Sequence, residues 1–161
     1  MQVRRAEVGG YAALGDLTIA AYARFTRGPE DPYLDRLRDV ARRDREAEVW
    51  VAADKDGENL GCVTWCPPDS PWREISGVGQ GEFRMLAVAP ASRGRGAGET
   101  LVRHCESLSA ATGATEMVLS SLDVMTDAHR LYARLGYRRV PERDWSPAPE
   151  VHLIAFEKRL D

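Results

Sequence analysis

The chain has 161 residues and a mass of 17.9 kDa; 43% of it is hydrophobic, 29% charged, and its formal net charge is −3. That length suits one domain, and the composition excludes a collagen, a low-complexity chain and a mostly disordered one. The net charge argues against a general polyanion binder, and no apolar run approaches the roughly 18 to 20 residues that span a bilayer.

Residues 1–7 carry Arg4 and Arg5 with no apolar segment behind them, so no export signal is read and cytoplasmic residence is expected. Only Lys55 and Lys158 among the 22 basic residues are lysines. The three cysteines, Cys62, Cys66 and Cys105, are an odd number in a chain without an export signal, which argues for reduced thiols. Cys62 and Cys66 lie four apart, on one side of a strand, but no second Cys/His pair completes a tetrahedral set. The neighbours His104 and Cys105 point apart on a helix. No metal is expected, and the thiols are read as core residues.

Residues 2–7 alternate around Val3 as an edge strand would. Residues 11–25 place Leu14, Leu17, Ala21 and Phe25 at helical spacing until Gly28, Pro29 and Pro32 break it. Residues 33–46 form a charged amphipathic helix with Leu34, Leu37, Val40 and Ala41 on its apolar stripe. Its interleaved Asp and Arg residues read as a solvated, salt-bridged face, not a nucleic-acid patch. Residues 48–54 and 60–66 form a hairpin about Gly57. Residues 67–81 are a long loop rich in Pro, Gly and Ser around Trp72.

The next strand is 82–89, stopped by Pro90. A helix over 97–112 carries Leu101, Val102, Cys105 and Leu108 on one side, His104 toward solvent or a neighbouring charge, and Gly113 as its stop. A strand at 115–121 and a short helix at 127–135 follow, the helix ended by Gly136. A strand at 137–140, a Pro-rich loop at 141–150 containing Trp145, and a last strand at 151–156 complete the chain. Three antiparallel-type strands thus precede a β-α-β unit, which needs a parallel pair and a right-handed crossover. The fold class is α/β, an α+β sandwich in which helices cover a mixed sheet.

The chemistry concentrates at residues 82–98, a strand, a Gly-rich turn and a helix start. A helix N-terminus offers unpaired N–H groups and partial positive charge, and glycines let a ligand approach the backbone closely. Arg93 and Arg95 add cations suited to phosphate oxygens. A P-loop would need Lys followed by Ser or Thr, where this chain has Glu99 and Thr100 after Gly98. The dinucleotide fingerprint needs Gly-x-Gly-x-x-Gly, which Gly94, Gly96 and Gly98 do not space. An Arg-x-x-Gly-x-Gly template is met by Arg93, Gly96 and Gly98.

That segment resembles the acyl-CoA pyrophosphate loop of the GNAT superfamily of N-acetyltransferases. Ala128, Leu131, Tyr132, Gly136 and Tyr137 are similar to a second pattern of that family, Ala-x-x-Leu-Tyr-x-x-x-Gly-Phe, with Tyr in the last place. The two motifs stand in the family's order, one helix and one strand apart. The resemblance implies a six- or seven-stranded sheet that splays between its fourth and fifth strands around the cofactor. It implies that backbone at Leu86, Ala87 and Val88 pairs with the pantetheine arm. Arg93, Gly94, Arg95, Gly96, Ala97 and Gly98 would then wrap the pyrophosphate, with Ala128 and Tyr132 beside the acyl group.

The expected reaction carries an acetyl group directly from acetyl-CoA to a primary amine of a small molecule, peptide or protein. No metal, nucleic acid or membrane takes part, and the resemblance allows a homodimer. A phenol with a pKa of about 10 holds its proton at neutral pH, so Tyr132 is the expected acid for the leaving thiolate. Glu82 is the expected base: some lysine-acetylating relatives carry a glutamate six residues before the position of Val88. On a regular strand it shares a face with Arg84, Leu86 and Val88, and an ion pair with Arg84 is its plain structural role. Asp123, Glu74 and His152 are alternatives, and His129 reads as a solvated helix residue. Met125 departs from the family, which often has Asn there to contact the cofactor or a water. Trp72 and Trp145 anchor long loops or wall an acceptor pocket. A non-catalytic acyl-CoA sensor and a transferase of larger acyl groups are the competing readings.

Overall fold

The hairpin about Gly57 forms in the computed structural model, which describes residues 1–161. Asp54 Oδ1 accepts the N–H groups of Asp56 and Glu58, each at 2.9 Å, and so sets the turn. The hairpin joins β2 (Glu48–Ala53) to β3 (Asn59–Cys66), with Val51 opposite Cys62. Before it come β1 (Gln2–Arg5), α1 (Tyr11–Tyr22), α2 (Tyr33–Arg38) and α3 (Val40–Glu46). After it come β4 (Gln80–Val88), α4 (Ala97–Ala111), β5 (Glu116–Leu122) and α5 (Thr126–Arg134). The last elements are β6 (Arg138–Arg139), β7 (Trp145–Ala148) and β8 (Val151–Arg159).

All eight strands join one sheet in the order β1-β2-β3-β4-β5-β8-β6, with β7 on β8. Every pair is antiparallel except β4–β5, which is parallel and linked through α4, as the β-α-β reading expects. The sheet has eight strands where six or seven were expected, because residues 145–148 pair with β8 inside the expected loop. No helix is long and apolar enough to cross a membrane.

The single helix expected over 33–46 is two helices. Asp39 leaves helical geometry (φ −80°, ψ 68°), and its carboxylate accepts the N–H of Arg42 at 3.1 Å, capping α3. A short acidic side chain here outcompetes the helical path of its own backbone. Arg43 folds back, fully buried, and donates to the carbonyls of Arg36 and Leu37 at 2.7 Å each. The expected solvated face therefore holds one buried cation, seated on the carbonyl end of α2.

The sheet's two faces carry separate cores. Leu60, Val63, Phe83, Leu101 and Met117 pack under α4 and α5, and Leu14, Leu37, Val49, Cys62 and Met85 pack under α1 to α3. A β-bulge in β4 decides which residue faces which core. Met85 has φ 52°, and the register on β3 shifts between Cys62, opposite Ala87, and Thr64, opposite Arg84. Past the bulge the alternation inverts. Met85 and Ala87 join the α1 side, while Leu86 and Val88 join the α4 side with Phe83. The expectation that Glu82 and Arg84 share a face with Leu86 and Val88 is thereby corrected.

Candidate active site

β4 and β5 are hydrogen-bonded only at their start, where Gln80, Gly81 and Glu82 face Glu116, Met117 and Val118. Beyond that the strands part. Residues 83–88 of β4 and 119–122 of β5 face each other across an opening without pairing. Leu86, Ala87 and Val88 form one margin of this gap with their backbone.

The turn after β4 leads to the same opening. Gly94 (φ 77°) and Gly96 (φ 86°) adopt left-handed geometry that residues with a Cβ resist, and Gly96 is the N-cap of α4. The first backbone bond into α4 runs from the N–H of Thr100 to the carbonyl of Gly96. No backbone N–H from residue 93 to residue 99 has a partner within the protein. Arg93 is exposed and pairs with no carboxylate; Arg95 stands 3.8 Å from Asp54. Ala97 is buried at the base of the turn. A Cβ on Gly98 would lie 3.1 Å from Leu131 Cδ2 and 3.6 Å from Val88 Cγ2, so its absence lets α4, α5 and β4 converge. This cradle of free N–H groups with a nearby guanidinium fits a pyrophosphate.

Across the opening, α5 brings Tyr132. Its ring is 5% exposed and lies among Phe83, Tyr137 and Phe156, with centroids 6.1, 5.9 and 5.6 Å away. Its hydroxyl has no protein partner and is not among the polar atoms sealed from solvent. Burial pushes the phenol well above its ordinary pKa, and the Cys105 thiol beneath adds to the shift. Tyr132 is thus a proton holder with a free donor. Half-buried Ala128, one turn earlier, packs on the same core.

His129 is a structural staple rather than a solvated residue. Its Nε2 lies 3.1 Å from Ser121 Oγ and 3.0 Å from the carbonyl of Leu122, tying α5 to the end of β5. Burial lowers its pKa. His104, expected toward solvent or a neighbouring charge, packs edge-on against Trp50 with centroids 4.2 Å apart, where the Glu48 carboxylate influences it. Met125, at the family's Asn position, packs on the α1-side core and gives α5 no side-chain cap.

Glu82 has neither expected geometry. It is fully buried, and its carboxylate accepts three successive N–H groups of the loop between β3 and β4: Glu74 (3.0 and 3.1 Å), Ile75 (3.2 Å) and Ser76 (3.0 Å). A base needs a lone pair directed at the substrate, whereas this carboxylate is turned inward on the loop. Arg84 pairs with Glu74 instead, Nε to Oε1 at 3.0 Å, and donates to the carbonyl of Trp72 at 3.2 Å. Trp72 is an anchor, buried and bonded through Nε1 to Glu46 at 2.9 Å. Trp145 sits on β7 and donates to Ser120 Oγ at 3.1 Å.

The three cysteines are buried and form no disulfide, Cys62 Sγ lying 3.4 Å from Thr18 Oγ1, and burial raises each thiol's pKa. A cleft of about 480 Å³ lies between the end of α1 and the β5–α5 turn, lined by Arg24, Phe25, Thr26, Val124, Thr126 and Asp127. Arg24 and Asp127 bridge it at 3.3 Å. Of the residues that the resemblance implies for the acceptor site, Arg24 and Phe25 line this cleft, while Tyr22 ends α1 and Tyr33 begins α2.

A mixed sheet that opens beside an N–H-lined helix start is a geometry suited to an extended, phosphorylated ligand. Residues 12–137 match the acetyltransferase (GNAT) family. The chain belongs to that family. It is 35% identical over 107 residues to an uncharacterized N-acetyltransferase of Schizosaccharomyces pombe, a match covering 66% of this chain and 61% of that one. An acetyltransferase of the GNAT family from Staphylococcus aureus superposes with a TM-score of 0.77 at 13% identity, over 99% of both chains. The yncA protein of Salmonella typhimurium, solved with its cofactor acetyl-CoA, superposes with a TM-score of 0.68 at 21% identity. That superposition covers 99% of this chain and 94% of the other. These solved structures share its fold.

Proposed function

We propose that the protein is an acetyl-CoA-dependent N-acetyltransferase that acetylates a primary amine by direct transfer within a ternary complex. The observation that carries this reading is the pairing, at one sheet opening, of the free N–H run at 93–99 with the unbonded Tyr132 phenol. Residues 93–98 hold the pyrophosphate, and the backbone of Leu86, Ala87 and Val88 takes the pantetheine arm as an added strand. Ala128 and Tyr132 flank the acetyl end. The neutral amine nitrogen bonds to the thioester carbonyl carbon, the carbon–sulfur bond breaks, the departing thiolate takes the proton of Tyr132, and the proton lost by the nitrogen restores the phenol, so the products are the amide and the free thiol of CoA. The burial of Cys105 on the inner face of α4, with its thiol pKa raised, supports direct transfer over an acyl-cysteine carrier.

The test is turnover of acetyl-CoA with a panel of amines. Tyr132→Phe should lower kcat about 100-fold while leaving acetyl-CoA affinity unchanged, the usual scale for loss of a general acid. Full activity in that variant would remove Tyr132 from the chemistry. Tight acetyl-CoA binding with no turnover on any amine would favour the sensor reading.

A further inference from the structure

The cleft of about 480 Å³ takes one wall from each margin of the sheet opening. Arg24 and Phe25 follow Tyr22, the last residue of α1, which joins the core that Met85 and Ala87 of β4 line. Val124, Thr126 and Asp127 follow Leu122, the last residue of β5. His129 Nε2, 3.0 Å from the carbonyl of Leu122, fixes the first turn of α5 to that strand end. Asp127 directly precedes Ala128 on α5. Tyr132 stands about 7.5 Å further along the helix axis, at about 1.5 Å per residue. The cleft therefore opens beside the place proposed for the acetyl group.

Its charges are unevenly shared. Asp127 takes two arginines: Arg130 pairs with Oδ1 from three residues on, and Arg24 Nη2 reaches Oδ2 across the cleft at 3.3 Å. Two guanidinium groups thus stand on one carboxylate, leaving one positive charge in excess. Asp123, in the same turn, is exposed and lies outside the cleft wall. The Arg24–Asp127 contact is single and long for a charge-assisted bond, and its side chains are 54% and 61% exposed. A pair of this kind adds little stability and exchanges readily. Arg24 keeps its place without it. Its guanidinium lies 4.8 Å from the centre of the Phe25 ring. The segment that carries it is tied by the Arg27–Glu150 pair at 2.5 Å, by the Arg27 N–H on Asp31 at 2.9 Å and by Thr26 Oγ1 on the carbonyl of Ala23 at 3.0 Å.

We infer that Arg24 selects the acceptor by binding a carboxylate that the acceptor carries, so that the acceptors are free amino acids and similar small aminocarboxylates. This rests on the N-acetyltransferase reading above. The acceptor's carboxylate replaces Asp127 on Arg24, whose planar guanidinium can hold both oxygens. Asp127 stays on Arg130. Each cation then has its own anion, and no charge is left bare. An amine without a carboxylate leaves the Arg24–Asp127 pair lying across the cleft. Phe25 and Val124 offer apolar surface to the rest of the acceptor. The volume suits a small molecule. A lysine inside a protein chain brings no carboxylate of its own to Arg24.

The experiment measures kcat/KM for three amino acids, each beside the amine left by removing its carboxyl group. The pairs are L-leucine and isopentylamine, L-phenylalanine and phenethylamine, and γ-aminobutyrate and propylamine. Wild type, Arg24→Ala, Arg24→Lys and Asp127→Asn are compared, with melting temperature and acetyl-CoA affinity as controls for folding. Within a pair, the ratio of the two values is compared between proteins, so differences in amine basicity cancel. Wild type should favour the amino acid of at least one pair by about 10-fold or more, and Arg24→Ala should cut that ratio by about 10- to 100-fold. Arg24→Lys keeps the charge without the fork and should retain part of the preference. Asp127→Asn removes the competing carboxylate and should lower KM for the amino acid severalfold; an unchanged or raised KM would overturn the exchange. A wild-type protein without a preference for the amino acids, or an Arg24→Ala protein that keeps the wild-type ratio, would overturn the inference and leave the acetyltransferase reading intact. Turnover confined to amines without a carboxylate would do the same. A wild-type protein that binds acetyl-CoA and acetylates no amine, here or on the wider panel, would take both readings away.

Discussion

Glu82→Ala is expected to lower the melting temperature by about 10 °C, from a loss of about 3 to 5 kcal/mol. Three backbone donors, on half-buried Glu74, Ile75 and Ser76, would lose their acceptor, a carboxylate that is itself fully buried. The missing side chain would also leave a void beside the loop. Glu82→Gln keeps the shape and one acceptor oxygen, so its loss should be smaller. Calorimetry of the three proteins checks this order, and a Glu82→Ala protein as stable as wild type would show that the loop is held by its other fastenings. The kinetic companion matters as much. If Glu82 only positions the loop, Glu82→Gln should keep most of its turnover, and any loss should be the same at low and high pH.

Gly96→Asp should weaken acetyl-CoA binding by about 100-fold or more. A carboxylate at the N-cap of α4 would stand where the pyrophosphate is proposed to lie, and a like-charge contact of that kind costs several kcal/mol. Asp tolerates left-handed geometry better than most residues, and a Cβ at this position meets nothing within 4 Å, so the fold should survive. Arg93→Ala removes one cation from the same cradle and should lose about 10-fold. Isothermal titration with acetyl-CoA and with CoA separates the contributions. Equal losses for both ligands locate the defect at the portion they share, whereas wild-type affinity in Gly96→Asp would move the ligand away from this turn.

The elements legible in the sequence were those whose signals are local. Two β-rich runs about the turn at 55–58 marked β2 and β3, glycine stops marked the ends of α4 and α5, and the turn at 93–98 stood out because its glycines and arginines form a pattern within six residues. Tyr132 was legible through the pattern around it. The bulge was not, because its positive φ falls on Met85, a residue with no preference for that geometry. Missing it placed Glu82 on the wrong side relative to Leu86 and Val88. The role of Glu82 was hidden for another reason: its partners are backbone N–H groups, which every residue but proline supplies. Arg43 looked like its arginine neighbours because only the break at Asp39, itself set by a side-chain bond, turns it inward. β7 carries Pro147, which argues for a loop in the sequence, yet it lies outside the main path of the sheet, where proline is tolerated.

The parting of β4 from β5 has a consequence for how this protein fails. Most sheets carry their unpaired strand margins at the outside, where charge and twist discourage other chains from adding on. Here two raw margins, residues 83–88 and 119–122, lie in the middle of the sheet. They are guarded by depth, with Tyr132 of α5 between Phe83 and Phe156 and Gly98 of α4 drawn against Leu131. A fluctuation that lifts α5 would uncover two β templates at once while the rest of the sheet stays intact. Such partial opening would expose more strand-pairing surface than the closed fold, and the cofactor proposed for the gap would then guard against aggregation as well as react.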